Sequence, residues 1–119
     1  MCRGYIPGMV AKVPSLDLAF AALANETRRD VIERLRRGPM AVSELAQPFE
    51  MALPSFMEHL RTLERGGLVT SEKVGRVRTV RLVPKQLKRA SDWLEKQRTM
   101  WEKRLDQLDA YLETMEDES

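Results

Sequence analysis

The chain is organised around one short stretch, Ala52 to Leu68, which reads ALPSFMEHLRTLERGGL. Phe56, Leu60 and Leu63 recur there at helical spacing, and Ser55, Glu58, His59, Arg61, Thr62 and Arg65 stand between them as a polar face with two arginines. An arginine fork can bind a guanine edge or a phosphate, so Ser55 and Arg61 are placed to enter a groove, with Arg65 nearer the helix end. Glu58 would accept from a cytosine amino group or repel a phosphate. His59 either touches nucleic acid or hydrogen-bonds within its own motif, and the sequence leaves both readings open. A second set of cations, Lys73, Arg76 and Arg78, surrounds Gly75 and suits the phosphate backbone or the minor groove. For every one of these residues the alternative is a solvated charged surface.

Catalysis finds no such set. No nucleophile–base pair, phosphate-cradling glycine motif or His/Cys/carboxylate cluster with metal spacing is present, so neither an enzyme nor a cofactor is expected. His59 is the only histidine and Cys2 the only cysteine, which excludes an intramolecular disulfide and predicts no metal site. The seven methionines and Cys2 invite a soft-metal or redox reading, but Met40, Met51 and Met57 are scattered, and Met100 and Met115 belong to a helical stripe.

The flanking elements must position these groups. Residues 1–14 contain Gly4, Pro7, Gly8 and Pro14 without periodicity and read as a flexible arm. Ser15 caps a helix with Leu16, Ala19, Phe20 and Leu23 on its apolar side, and Asn25 caps a second with Val31, Ile32 and Leu35 as its stripe. Arg28 and Arg29, near the start of that second helix, could pair locally or touch a phosphate, and local pairing is the expectation. Gly38-Pro39 stops it, and a third helix is expected over 42–49, its end limited by Pro48. A link of a few residues leads to the arginine-bearing helix, with Pro54 in its first turn and Gly66-Gly67 closing it through glycine's access to positive φ. Two short helices so joined form a helix-turn-helix arrangement.

Beyond Leu68 the period falls to two. Segments 68–74 and 77–82 alternate about Gly75-Arg76, which predicts a β-hairpin with a cationic tip, closed by Pro84. From Lys85 to about Glu116 the chain has no Gly or Pro and reads as one long helix. Leu94, Trp101, Leu108 and Met115 recur every seven residues, with Leu105 and Leu112 on the other side of the seam. Trp93 and Trp101 would add large contact areas there.

Charge divides the chain in the same place. The net charge of +2 conceals 16 Lys/Arg against 9 Asp/Glu up to residue 89, and 4 against 9 after it. A basic body with an acidic tail predicts one half facing a polyanion and another with a different task. No run approaches a membrane span and the N-terminus has no signal-peptide core, so a cytoplasmic protein without a membrane partner is expected.

The segment LANETRRDVIERLRRGPMAVSELAQPFEMALPSFMEHLRTLERGGLVTSEKVGRVRTVRL resembles the ArsR-type winged helix-turn-helix regulators, and WLEKQRTMWEKRLDQLDAYL is similar to the tail of a branch without metal motifs. The likeness covers roughly Leu16 to Leu112 and is carried most strongly by SELAQPF, HLRTLERGGLV and VGRVRTV. Two departures stand out. Similar members commonly carry serine where Met57 stands, so Met57 and Glu58 join the residues that would decide the operator sequence. Metal-sensing members carry a cysteine pair on the helix that here reads SELAQPF, and the paired Asp/His sites of other members also fail.

The resemblance implies a mainly α fold with a small β-hairpin wing, divided into an arm (1–14), a winged helix-turn-helix core (15–84) and a dimerisation helix with an acidic tail (85–119). It implies a homodimeric regulator, usually a repressor, bound to a palindromic operator in double-stranded DNA. Leu16, Phe20, Leu94, Trp101, Leu105, Leu108, Leu112 and Met115 are the expected dimer interface. The sequence names no inducer; one would be a small apolar molecule between the terminal helices, or a metal at Cys2. The rival reading is a winged-helix module whose basic face docks an acidic protein and never reads DNA.

Overall fold

The computed structural model describes residues 15–118, so the 1–14 arm and Cys2 lie outside the described residues. Two side-chain caps start the chain's regular structure. Ser15 Oγ accepts from the Leu18 N–H (3.2 Å) and opens α1 (Leu16–Leu23). Asn25 Oδ1 accepts from the Arg28 N–H (3.0 Å) and opens α2 (Glu26–Leu35). Each satisfies one of the orphan donors of a first helical turn. Then come β1 (Met40–Ala41), α3 (Val42–Ala46), α4 (Leu53–Arg65), β2 (Val69–Val74), β3 (Val77–Leu82) and α5 (Pro84–Glu118).

Two elements depart from the expectation. β1 was not expected: Met40 pairs with Val80 and Ala41 with Thr79, making a three-stranded antiparallel sheet in the order β1-β3-β2. Two residues are too few to carry a period, and only their distant partner makes them a strand. α3 ends at Ala46 rather than near residue 49. Pro48 has no N–H to offer the Glu44 carbonyl, so the helix cannot continue through it, and Phe49 turns back instead, its N–H donating to the Ala46 carbonyl (3.0 Å).

The chain divides into two compact units, one ending at Leu87 and the other beginning at Lys88. In the first, Val31, Ile32 and Leu35 of α2 meet Leu45 of α3, Phe56, Leu60 and Leu63 of α4, and Leu68, Val69 and Val80 of the sheet region in one buried cluster. Phe56 is fully buried, its ring centroid 5.4 Å from that of Phe49 at a tilted angle of 38°. Gln86 is also buried, and its Nε2 donates to the Ser15 carbonyl. In the second unit, Leu94, Trp101, Leu105, Leu108, Leu112 and Met115 are all about half exposed, from 48% to 64%. Arg98 lies seven residues before Leu105 and so interrupts this seam, paired with Glu95 and with Glu102 at 3.1 Å. Those pairs, the Glu95 hydrogen bond first, raise the Arg98 pKa above its ordinary value.

The two glycines after α4 do different work. Gly67 adopts φ +76°, and bonds from Gly67 N–H to the Glu64 carbonyl (2.9 Å) and Leu68 N–H to the Leu63 carbonyl (3.0 Å) form a Schellman close. Gly66 has an ordinary φ of −77° and is needed for a different reason, the close approach of α1. A Cβ there would stand 2.9 Å from the Leu18 carbonyl oxygen and 3.2 Å from Ala22 Cβ. Gly66→Ala is therefore expected to destabilise the fold by about 1–3 kcal/mol, as overpacking does, and a lowered urea midpoint with an unchanged m-value would register it.

Candidate nucleic-acid interface

Burial of Phe56, Leu60 and Leu63 turns one side of α4 inward and leaves Ser55, Glu58, Arg61 and Arg65 exposed on the other. These polar groups are already in contact. Glu58 Oε2 accepts from Arg61 Nη1 at 2.7 Å, and its Oε1 lies 3.7 Å from Arg65 Nη2. Arg65 Nη2 also donates to Thr62 Oγ1 (3.2 Å), which in turn donates to the Glu58 carbonyl (3.1 Å). Exposed pairs of this kind are worth only a few tenths of a kcal/mol to about 1 kcal/mol, so they order the arginines without preventing a stronger anion from taking them. Thr62 is half-buried with its hydroxyl held by the helix, and half-buried Met57 packs against the hydrophobic cluster.

His59 is held from behind. Its Nδ1 lies 3.2 Å from Arg28 Nη1, while Arg28 Nε and Nη2 donate to the carbonyls of Ala22 (2.8 Å) and Ala21 (3.1 Å). A guanidinium has no acceptor, so Nδ1 must accept and the ring proton sits on Nε2. Of the two readings open for His59, the hydrogen bond within the motif is present. Arg29 Nη1 likewise donates to the Leu23 carbonyl (2.7 Å), so both arginines bond to nearby carbonyls at the end of α1, as expected, and Arg28 in addition reaches the distant His59.

The hairpin turns at Gly75, whose φ of +64° leads into Arg76, and the register places Lys73 directly opposite Arg78, Ser71 opposite Val80 and Val69 opposite Leu82. Alternation puts Val69, Ser71 and Lys73 on one face with their partners, so this face grades from buried apolar residues to a cationic tip. Arg78 Nη1 donates to Ser71 Oγ (3.0 Å). A groove of about 220 Å³ runs between α4 and this sheet face, with Met57, Leu60, Val69 and Val80 on its apolar side and Arg61, Glu64, Ser71 and Arg78 as its polar lining. The structure thus brings Arg61 and Arg78 to one groove. Ser71 was missed by sequence reasoning, although its place two residues before Lys73 on an alternating strand could have marked it. A larger cavity of about 510 Å³ lies at the end of α2, among Glu33, Arg34, Arg36, Arg37 and Met40, and no residue of α4, β2 or β3 lines it.

The remaining interface candidates divide by unit. Leu16 and Phe20 of α1 are half-buried, whereas the named residues of α5 are exposed. Among the described residues no group of three or more His, Cys, Asp or Glu could hold a metal ion, and no helix is long and apolar enough to cross a membrane.

Helices α2, α3 and α4 followed by an antiparallel hairpin, with arginines on both α4 and the hairpin, define a winged helix-turn-helix protein. A helix-turn-helix domain family matches residues 23–72. The crystal structure of an ArsR family transcriptional regulator is similar at 49% identity and a TM-score of 0.70, over 73% of this chain and 90% of that one. An ArsR-like transcriptional regulator from Rhodococcus sp. RHA1 is similar at 33% identity and a TM-score of 0.68, over 78% and 88%. The chain belongs to the ArsR family of transcriptional regulators. It is also 41% identical over 70 residues to the HTH-type transcriptional regulator Rv2034 of Mycobacterium tuberculosis, covering 59% of this chain. To the transcriptional repressor SdpR of Bacillus subtilis it is 29% identical over 56 residues, covering 47% of this chain. The chain spans just under two thirds of the length of these two curated relatives, 65% and 62%.

Proposed function

We propose that this chain binds double-stranded DNA sequence-specifically as a homodimer on a palindromic operator and represses transcription by covering a promoter. The single observation that carries the DNA-binding reading is the convergence of Arg61 of α4 and Arg78 of the wing on one groove. Ser55, Glu58, His59, Arg61, Thr62 and Arg65, with the part of Met57 that packing leaves exposed, make up the recognition helix's DNA-facing set, and Lys73, Arg76 and Arg78 the wing's phosphate-facing set. Repression is carried over from relatives such as SdpR, which is named a repressor. The reading assigns no cofactor and no enzymatic activity, because these residues are donors and fixed charges without a nucleophile–base pair. It places the protein in the cytoplasm with its operator, and leaves a small-molecule inducer unassigned.

Dimerisation is supported by the half-exposed seam of α5, to which a second copy is the natural cover, with Leu16 and Phe20 of α1 contributing. Two recognition helices would then enter successive major grooves about 34 Å apart. Leu108→Lys is expected to weaken self-association at least tenfold, since it removes leucine burial worth about 1.5–3 kcal/mol from each copy. Arg98→Leu, which completes the seam, is expected to strengthen it. Sedimentation equilibrium of both variants checks the pair.

Selection of bound fragments from a random duplex pool, followed by fluorescence anisotropy against the enriched sequence and a scrambled control, tests the reading. Binding about a hundredfold tighter to the enriched duplex is expected, within the usual span between specific and non-specific sites. A pool with no enriched motif would overturn DNA reading and favour the rival, a basic face that docks an acidic protein.

A further inference from the structure

We infer that Ser71, Arg78 and Arg61 form a seat for one phosphate of the DNA backbone and its attached deoxyribose, in the groove between α4 and the wing. The inference rests on the DNA-binding reading and adds to it a residue, Ser71, and a place where backbone rather than base is held.

Three observations converge. Ser71 Oγ accepts from Arg78 Nη1 at 3.0 Å, which takes up a lone pair and leaves the hydroxyl hydrogen to be donated outward. Arg78 and Arg61 retain further N–H groups beyond those used on Ser71 and Glu58, so donors from two elements surround one space. The register then sets Lys73 directly opposite Arg78, a like-charge cross-strand pair that costs stability unless an anion lies close by.

Size and lining select the occupant. The groove of about 220 Å³ is smaller than the roughly 300–1,000 Å³ of small-molecule pockets. It suits a single phosphodiester whose oxygens meet the arginines and the hydroxyl, because the two guanidiniums outnumber the one carboxylate, Glu64, that also lines the groove. Half-buried Met57, with the edges that Leu60, Val69 and Val80 leave exposed, offers an apolar surface to the sugar carbons. A phosphate held here carries no sequence information, but it fixes how far α4 enters the major groove.

The test uses the full chain and the selected operator. Ser71→Ala is expected to keep the wild-type melting temperature while weakening operator and scrambled duplex by the same factor, about tenfold per copy and so about a hundredfold for the dimer, as loss of a hydrogen bond to a charged group does. Methylphosphonates, which neutralise single phosphates, are then scanned along the operator. One position per half-site is expected to weaken the wild type strongly and Ser71→Ala much less. Unchanged binding by Ser71→Ala overturns the seat, as does a loss confined to the operator, or equal sensitivity of both proteins at every methylphosphonate. If the wild type itself selects no duplex, the DNA-binding reading fails and the seat with it; if the wild type binds and only these Ser71 results fail, the seat alone falls.

Discussion

Phe56→Ala is expected to lower the free energy of unfolding by about 3–5 kcal/mol, the usual cost of deleting a buried aromatic ring. Against a total of roughly 5–15 kcal/mol for a natural domain, that is a large share. The ring is fully buried, packs against Phe49 at 5.4 Å, and belongs to the cluster that joins α2, α3, α4 and the sheet. The cavity it left would lie beneath the helix that carries Ser55, Glu58, Arg61 and Arg65. DNA affinity is therefore expected to fall only as far as the folded population falls. Phe56→Leu, which keeps most of the volume, is expected to cost less than Phe56→Ala. Urea unfolding followed by circular dichroism measures both, and an unchanged midpoint for Phe56→Ala would contradict its place in the core.

Salt is expected to have a still larger effect on binding. Each copy offers Lys73, Arg76 and Arg78 on the wing and Arg61 and Arg65 on α4, so a dimer offers twice that set. A protein neutralising about six to ten phosphates loses roughly 10³–10⁵-fold in affinity between about 50 and 200 mM salt, because condensed counterions are no longer released with gain. Arg76→Ala removes one tip cation from each copy, and the slope of log K against log[salt] is expected to become shallower by about 2, at roughly 0.9 per phosphate. Operator and scrambled duplex should share that change, since the wing tip is assigned to backbone. Anisotropy titrations at several salt concentrations provide the slopes; a slope near zero for the wild type would remove the polyanion from the account.

What the sequence determined by itself was local. Caps at Ser15 and Asn25, the apolar stripe of Phe56, Leu60 and Leu63, the hairpin about Gly75 and the seven-residue recurrence in α5 each need only residues within a turn or two of one another. The family likeness was legible for the same reason, as its motifs are contiguous. Tertiary structure decided whatever joins distant residues. Met40 and Ala41 become a strand only because β3 lies alongside them, and Gly66 is required only because α1 crosses it closely. Met57 lies among the recognition residues in sequence yet is half-buried against the core. His59 takes its tautomer from Arg28, 31 residues earlier, and Ser71 acquires a role only once Arg78 reaches across the hairpin and α4 forms the opposite wall. Periodicity and capping are written within a few residues. Which donor meets which acceptor across the core depends on how the finished elements pack.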